Sequence, residues 1–287
     1  MPKVLLAITG TVLALVAGCA PAPAGRERAA PANIAAPTFV SLNPCLDALL
    51  VEIAAPGQIL ALSHYSRDAS SSSLARDMVE RFGTTGGTAE EVIALRPDVV
   101  LASSFIAPAT KAALERAGFR VETFGSPVSV AQSLAQARRI AALAGRKEAG
   151  EALARRMRAK GAGDPDKRIG PDATIATLLW QPGQIVPGEA TLIAELMAES
   201  GFASHSAARG LGQADHVALE TLLADPPDLL LVAGDSAGQE HPLLARLEET
   251  RVERFPASLL YCGGPTIPAV RARLAEIRAG IEGRAEP

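Results

Sequence analysis

The chain has 287 residues, of which 28 are basic and 31 acidic, for a formal net charge of -3. Neither sign of charge forms a long block, which excludes the basic patches that recruit nucleic acid or an anionic surface. Setting aside a targeting segment and a tether leaves roughly 250 residues, enough for two lobes each with its own core.

In chain order, Lys3 and the apolar run 4–16 read as the first two regions of an export signal, the run being too short to span a bilayer. Val16-Ala17-Gly18-Cys19 is similar to the bacterial lipobox, so residues 1–18 are expected to be a signal peptide and Cys19 to carry lipid. An ordinary secretory signal with an incidental cysteine is the alternative. Both place the protein in the periplasm, the first of them anchored to a membrane through lipid on Cys19. Residues 19–37 are rich in Ala and Pro and are expected to form a disordered tether.

Folding is expected to start at residue 38. The first lobe, 38–127, alternates strand 39–42, a helix over 46–54, strand 59–62, a helix from Thr88, strand 99–102, a helix over 109–117 closed by Gly118, and strand 120–124. Residues 128–162 carry good helix formers almost without interruption and read as one long interlobe helix, with Gly145 the place for a kink. Leu134, Ile140, Leu143, Leu153 and Met157 form its apolar stripe. The second lobe, 163–287, follows a polar loop over 161–172. It shows a strand over 173–180, a helix over 191–200, a closing strand 258–261 and a last helix from Ile267. The expected fold class is α/β, with two doubly wound lobes joined by a single long α-helix and a ligand cleft between them.

One phrase occurs in both lobes. Glu90-Glu91-Val92-Ile93-Ala94-Leu95-Arg96-Pro97-Asp98 leads into an aliphatic run, and so does Glu220-Thr221-Leu222-Leu223-Ala224-Asp225-Pro226-Pro227-Asp228. In each, a glutamate opens a short helix, Pro-Asp breaks it eight residues later, and a strand buried on both faces follows.

The order and spacing of these segments carry a resemblance. Val40-Ser41-Leu42-Asn43-Pro44, the Ser63-His64-Tyr65-Ser66 turn, the phrase ending Leu95-Arg96-Pro97-Asp98-Val99-Val100-Leu101 and one long interlobe helix resemble the helix-spine class of ABC-transporter substrate-binding proteins. Cobalamin, ferric siderophores and haem are the ligands of that class. The resemblance spans about residues 38–279, and the Ser41-Leu42-Asn43-Pro44 opening and Tyr65 turn look closest to the cobalamin-binding members. It implies a monomeric receptor, not an enzyme, with no cofactor of its own: the ligand, a corrinoid or an iron chelate, brings its own cobalt or iron. Cobalamin is the expected ligand, with a ferric siderophore or haem as alternative. The resemblance also implies that Glu90 and Glu220 dock onto arginines of the two subunits of a permease. As helix-opening acids they would otherwise serve only the helix dipole.

Ligand contacts are expected where parallel strands end. Tyr65 there offers a flat face and a hydroxyl, with His64 beside it. Trp180 ends the first strand of the second lobe and is expected at the cleft rim facing Tyr65. Asn43, Cys45, Gly86, Gly87, Tyr261 and Cys262 complete the candidate set, Gly210-Leu211-Gly212-Gln213 corresponds to Gly86-Gly87 in the second lobe, and Arg67, Arg209 and Arg271 are candidates for an anionic chelate. Cys45 and Cys262 admit three readings: a disulfide across the lobes, which the oxidising compartment favours, a pair of thiolate metal ligands, or two unrelated small residues. A secreted metal-dependent hydrolase with zinc on His64, Cys45 and Cys262 is the enzyme alternative. Asp47, His205, Asp215, His216 and His241 form no catalytic spacing, and no metalloprotease, nucleophile-elbow, phosphate-loop or dinucleotide motif is present.

Overall fold

The computed structural model describes residues 36–159, 174–234 and 237–283. The expected signal peptide, Cys19, the tether up to residue 35 and the loop 161–172 lie outside the described residues. In the first lobe the chain forms β1 (Phe39–Ser41), α1 (Pro44–Ile53), β2 (Ile59–Ser63), α2 (Arg76–Val79) and β3 (Thr84–Thr85). It continues through α3 (Ala89–Leu95), β4 (Val99–Ser103), α4 (Pro108–Arg116) and β5 (Arg120–Phe124). All five strands are parallel, in the order β3-β2-β1-β4-β5.

Helices α5 (Val130–Leu143) and α6 (Lys147–Arg158) connect the lobes. The second lobe comprises β6 (Ile175–Trp180), β7 (Ile185–Val186), α7 (Leu192–Glu199), β8 (Phe202–Ser204) and β9 (Asp215–His216). Helix α8 (Leu219–Ala224), β10 (Leu229–Ala233), β11 (Arg251–Phe255) and α9 (Ile267–Glu282) complete it. Its main sheet is parallel, in the order β11-β10-β6-β8, and β7 pairs antiparallel with β9 beside it.

Strand periodicity sorts the apolar residues into three layers. Phe39, Val99 and Leu101 of the first sheet and Leu179, Leu229 and Leu231 of the second share one core with α1, α5, α6, α7 and α9. Val40, Val100 and Leu114 form a separate outer layer on the first lobe, and Leu178, Trp180, Leu230 and Val232 form one on the second. One continuous interior therefore runs through both lobes on the spine side.

The repeated Pro-Asp has a structural task in each copy. Asp98 Oδ2 accepts from the backbone N–H of Thr38 (2.7 Å) and from its hydroxyl (2.8 Å), at the entry to β1. Asp228 Oδ2 accepts from the N–H of Ala176 (3.0 Å) in β6. The strand opened by Pro-Asp is in each case the neighbour of the lobe's first strand, so the carboxylate ties the two starting points together.

The connector departs from a single unbroken helix. After Leu143 the chain turns at Gly145 (φ 66°), with Arg146 N–H donating to Ala141 O at 2.8 Å, the bond that closes a helix end in the Schellman manner. Helix α6 then folds back along α5, with Arg138 and Glu151 paired at 2.7 Å. Their contact is closest at Gly150, where a Cβ would lie 2.3 Å from Ala141 Cβ. Both helices touch both lobes: the first N–H of α5, on Val130, donates to Glu195 of α7 (2.9 Å) and its end, at Ala144 O, accepts from Gln58 beside β2 (3.0 Å), while α6 pairs Arg156 with Glu52 of α1 and offers Met157 O to Arg271 of α9. The closing strand is also displaced. Residues 257–259 form a 3-10 turn after Pro256, and the last strand is β11, whose charged alternation suits the edge it occupies.

Gly150→Val should force α5 and α6 apart and destabilise the protein by about 1–3 kcal/mol, the usual cost of overpacking. Urea denaturation of the two proteins, compared at equal slope, measures it.

Candidate functional site

Because the first sheet is wholly parallel, every strand delivers its following loop to one edge. Gly86 and Gly87 follow β3, His64 and Tyr65 follow β2, Asn43 and Cys45 follow β1, and Ser104 and Phe105 follow β4. The two most exposed large apolar side chains among the described residues stand on this edge: Phe105 at 84% and Tyr65 at 54%. They flank the end of β1. The His64 ring lies against that of Tyr65, with centroids 4.0 Å apart, and its Nδ1 is 3.2 Å from Thr85 O. Phe105 is presented by a turn that the Ser103 hydroxyl closes on the Phe105 N–H (3.0 Å). Nothing in the periodicity marks Phe105; its signal is an aromatic directly after a buried strand.

Asn43, Cys45 and Cys262 serve the frame of this edge. Asn43 caps α1, its Oδ1 accepting from the N–H groups of Cys45 (3.0 Å) and Leu46 (3.2 Å). Cys45 and Cys262 are joined in a disulfide with Cα atoms 4.9 Å apart, linking the first turn of α1 to the loop that follows β11. The bridge occupies both sulfurs, so the zinc site on His64, Cys45 and Cys262 loses two of its three ligands. Tyr261, beside the bridge, is half-buried. A second interlobe contact lies close by, where the Ser73 hydroxyl donates to Ser258 O (2.5 Å).

Trp180 is a core residue and does not face Tyr65. It is 0% exposed and its indole N–H donates to Val217 O (2.9 Å). As the last residue of β6 it is still in register with Val232, and its side chain falls in the outer layer of the second lobe. The arginines expected near an anion are committed elsewhere. Arg271 is buried against Glu199 (2.8 Å) and Met157 O, and Arg209 is paired with Asp225. Arg67 is exposed. Arg254, Arg273 and Glu240 line an open depression of about 650 Å³ at the carboxyl ends of β10 and β11, where Arg254 is paired with Glu240 (3.7 Å) and Arg273 with Glu276 (2.8 Å). Its wall of Pro256 and Ala257 leads directly into Ser258.

Beneath the edge lies Asp47, fully buried. Its Oδ2 accepts from Ser63 N–H (2.9 Å) and from the Ser66 hydroxyl (2.5 Å). Oδ1 lies beside the Ser41 hydroxyl but has no hydrogen bond, that hydroxyl donating to Asn43 O (3.4 Å). Burial pushes its pKa up to about 7 against the opposing effect of the serines.

On the outer surface, Glu90 and Glu220 each occupy the second position of their helices, α3 and α8. Both are exposed, and neither enters a hydrogen bond or ion pair among the described residues. Glu91 is spent inside its own lobe: it accepts from the Thr85 hydroxyl (2.6 Å) and Gly86 N–H (2.6 Å), which hold its carboxyl below the usual range. His205 is buried at Asp225 O (3.1 Å) and His216 is bound to Gly183 O (2.9 Å).

The family model described as periplasmic binding protein matches residues 39–252, and the chain belongs to that family. It is of the helix-spine class, a family of extracytoplasmic substrate-binding proteins and not of enzymes. Among solved structures it is similar to a periplasmic haem-binding protein from Roseiflexus sp. RS-1, with 18% identity, TM-score 0.64, and coverage of 88% of this chain and 100% of that one. A periplasmic haem-binding protein of Vibrio cholerae gives 18% identity and TM-score 0.65 over 84% of this chain and 98% of that one. The vitamin B12-binding protein of Vibrio cholerae gives 14% identity and TM-score 0.64 over 86% and 98%. No curated protein sequence matches. At these identities the likeness carries the fold alone.

The raised pKa of Asp47 sets a pH dependence of stability. Between about pH 4 and pH 7 the native state holds a proton that the unfolded chain has released, so stability falls as pH rises through that window and levels off above it. The fall should be at most about 4 kcal/mol. Asp47→Asn, which cannot ionise, should lack this slope and exceed the wild type in stability at pH 8, as measured by urea denaturation at pH 5, 6, 7 and 8.

Proposed function

We propose that the protein is an extracytoplasmic receptor that takes a flat tetrapyrrole between its two lobes and delivers it to an ABC importer, with haem as the leading ligand. The observation that carries this reading is the pair of exposed aromatic faces, Tyr65 and Phe105, at the carboxyl edge of the first sheet. A macrocycle gains apolar burial and stacking from such faces. Tyr65 adds a phenol, one of the side chains that hold haem iron, and His64 lies against it.

Corrinoid is the second reading, favoured by the Asn43-Pro44 opening and the Tyr65 turn. Cobalamin brings its own cobalt ligands and would use Tyr65 as a face only.

The receptor's partner in this reading is a permease dimer, approached by the surface that carries Glu90 and Glu220. Two unpaired anions on like helices of the two lobes can engage two like subunits and set their register, the use to which interfacial charge is best suited. Lipid on Cys19 would hold the receptor at the membrane where that permease lies, and a monomer suffices for one ligand and one docking face.

Absorbance titration of the mature domain with haemin and, separately, cyanocobalamin distinguishes the ligands. Haemin should bind one to one with a shifted Soret band. Tyr65→Phe should lose the phenolate-iron band, and Phe105→Ala should weaken binding by about 0.5–1.5 kcal/mol. Cobalamin binding without haemin binding would replace the first reading by the second, and silence with both would remove the tetrapyrrole. Glu90→Ala combined with Glu220→Ala should leave ligand affinity unchanged and cut receptor-dependent uptake by about ten-fold or more.

A further inference from the structure

The turn that presents Tyr65 has local bonds of its own, the Ser63 hydroxyl accepting from Tyr65 N–H (3.3 Å) and Tyr65 O accepting from Asp68 N–H (3.1 Å). β2 ends at Ser63, and the turn His64–Arg67 leaves the sheet with His64 and Tyr65 both exposed. The buried group that ties this turn to the core comes from another element. Asp47, in the first turns of α1, sends a single oxygen to two points that bracket the pair: the Ser63 N–H before it and the Ser66 hydroxyl after it.

That arrangement is costly for the core. Asp47 sits among Leu46, Leu49 and Leu50 in a helix buried on that side, and its Oδ1 has only the nearby Ser41 hydroxyl beside it. Burying a carboxyl group there costs several kcal/mol relative to an aliphatic residue of similar size, and two hydrogen bonds from a surface turn return only part of it. What the acid provides is distance: it reaches from helix to turn and sets their separation.

The helix end that carries Asp47 is itself fixed from the opposite lobe. Cys45, two residues earlier, is bonded to Cys262, and Asn43 caps the same turn. No charged side chain competes for the carboxyl group. Glu52 of α1 pairs with Arg156, Arg76 of α2 pairs with Glu80, Asp68 accepts from Ser70, and His64, Arg67 and Asp77 are exposed.

We infer that Asp47 is a positioning residue for ligand recognition: its buried carboxyl group sets where His64 and Tyr65 stand, and through the bridged first turn of α1 it registers them against the second lobe. This rests on the reading of Tyr65 as a ligand contact. Oδ2 accepts both bonds whether or not Oδ1 carries a proton, so the positioning does not depend on the charge.

Amide hydrogen exchange and haemin titration at pH 7 on the wild type, Asp47→Ala, Asp47→Asn and Ser66→Ala test this. Asp47→Ala should speed exchange of the amides of residues 63–68 and weaken haemin binding, each by about ten-fold or more, the loss expected for one to two hydrogen bonds to a carboxyl group. The amides of β10 and α9 should keep their rates. Asp47→Asn, whose amide oxygen can accept the same two bonds, should restore both readouts, and Ser66→Ala should fall between. If Asp47→Ala does not fold, faster exchange in Ser66→Ala with wild-type rates in Asp47→Asn supports the inference. Wild-type exchange in the turn of Asp47→Ala, or of Ser66→Ala where the former does not fold, overturns it, as does an Asp47→Asn defect as large as that of Asp47→Ala. Should the wild type fail to bind haemin, the ligand reading falls while the exchange measurements still decide what Asp47 holds.

Discussion

Parallel strands have no hairpin to set their register, so something else must fix where two neighbours begin relative to each other, and an acceptor at the foot of the sheet can do so. In both lobes that acceptor is the aspartate of Pro-Asp, reaching from the neighbouring strand to Thr38 in one case and Ala176 in the other. Much else depends on this placement. Proline ends the preceding helix, the aspartate registers two strands, and the helix is thereby left with its opening glutamate on the outside surface. A clamp needed by the sheet thus also fixes the spacing of Glu90 and Glu220, and a partner that reads both glutamates is reading the relative position of the two sheets.

The lobes behave as parts of one body. They share a core, α5 is pinned to both by Glu195 and Gln58, and a covalent bridge joins the first turn of α1 to the loop after β11. Large hinge motion would open that core to water at about 25 cal/mol for each square ångström exposed. Recognition must then rely on side chains that are already in position, which is the setting in which a buried group such as Asp47 acquires influence over a surface turn. Pre-organisation of this kind raises affinity by lowering the ordering that binding requires.

The alternating strands and helices of the first lobe were legible because their strands are short, aliphatic and buried, and the repeated phrase announced the second lobe. The misreadings have local physical causes. A helix-rich composition over residues 130–158 concealed a reversal that depends on one left-handed residue, Gly145, and on close packing at Gly150, neither of which alters hydrophobic periodicity. β11 was hidden by its charges, which an edge strand tolerates and a buried one does not. Trp180 was misassigned because a strand's final residue can still lie within the ladder, and only the register decides to which face it turns. At the edge of the first lobe, Tyr65 and His64 were readable from their place after a strand. Phe105 and the task of Asp47 were not: exposure and a hydrogen bond across 16 residues are properties of the folded chain.

The bridge between Cys45 and Cys262 spans 217 positions of sequence. Chains are made and folded from the N-terminus onward, so the first lobe can be complete long before its sulfur partner exists. Until the last tenth or so of the polypeptide arrives, Cys45 waits as a single thiol at the mouth of the unfinished cleft. Closure of that bond therefore needs nearly the whole polypeptide: only a molecule made almost to its end carries both sulfurs of the fastening that joins one lobe to the other.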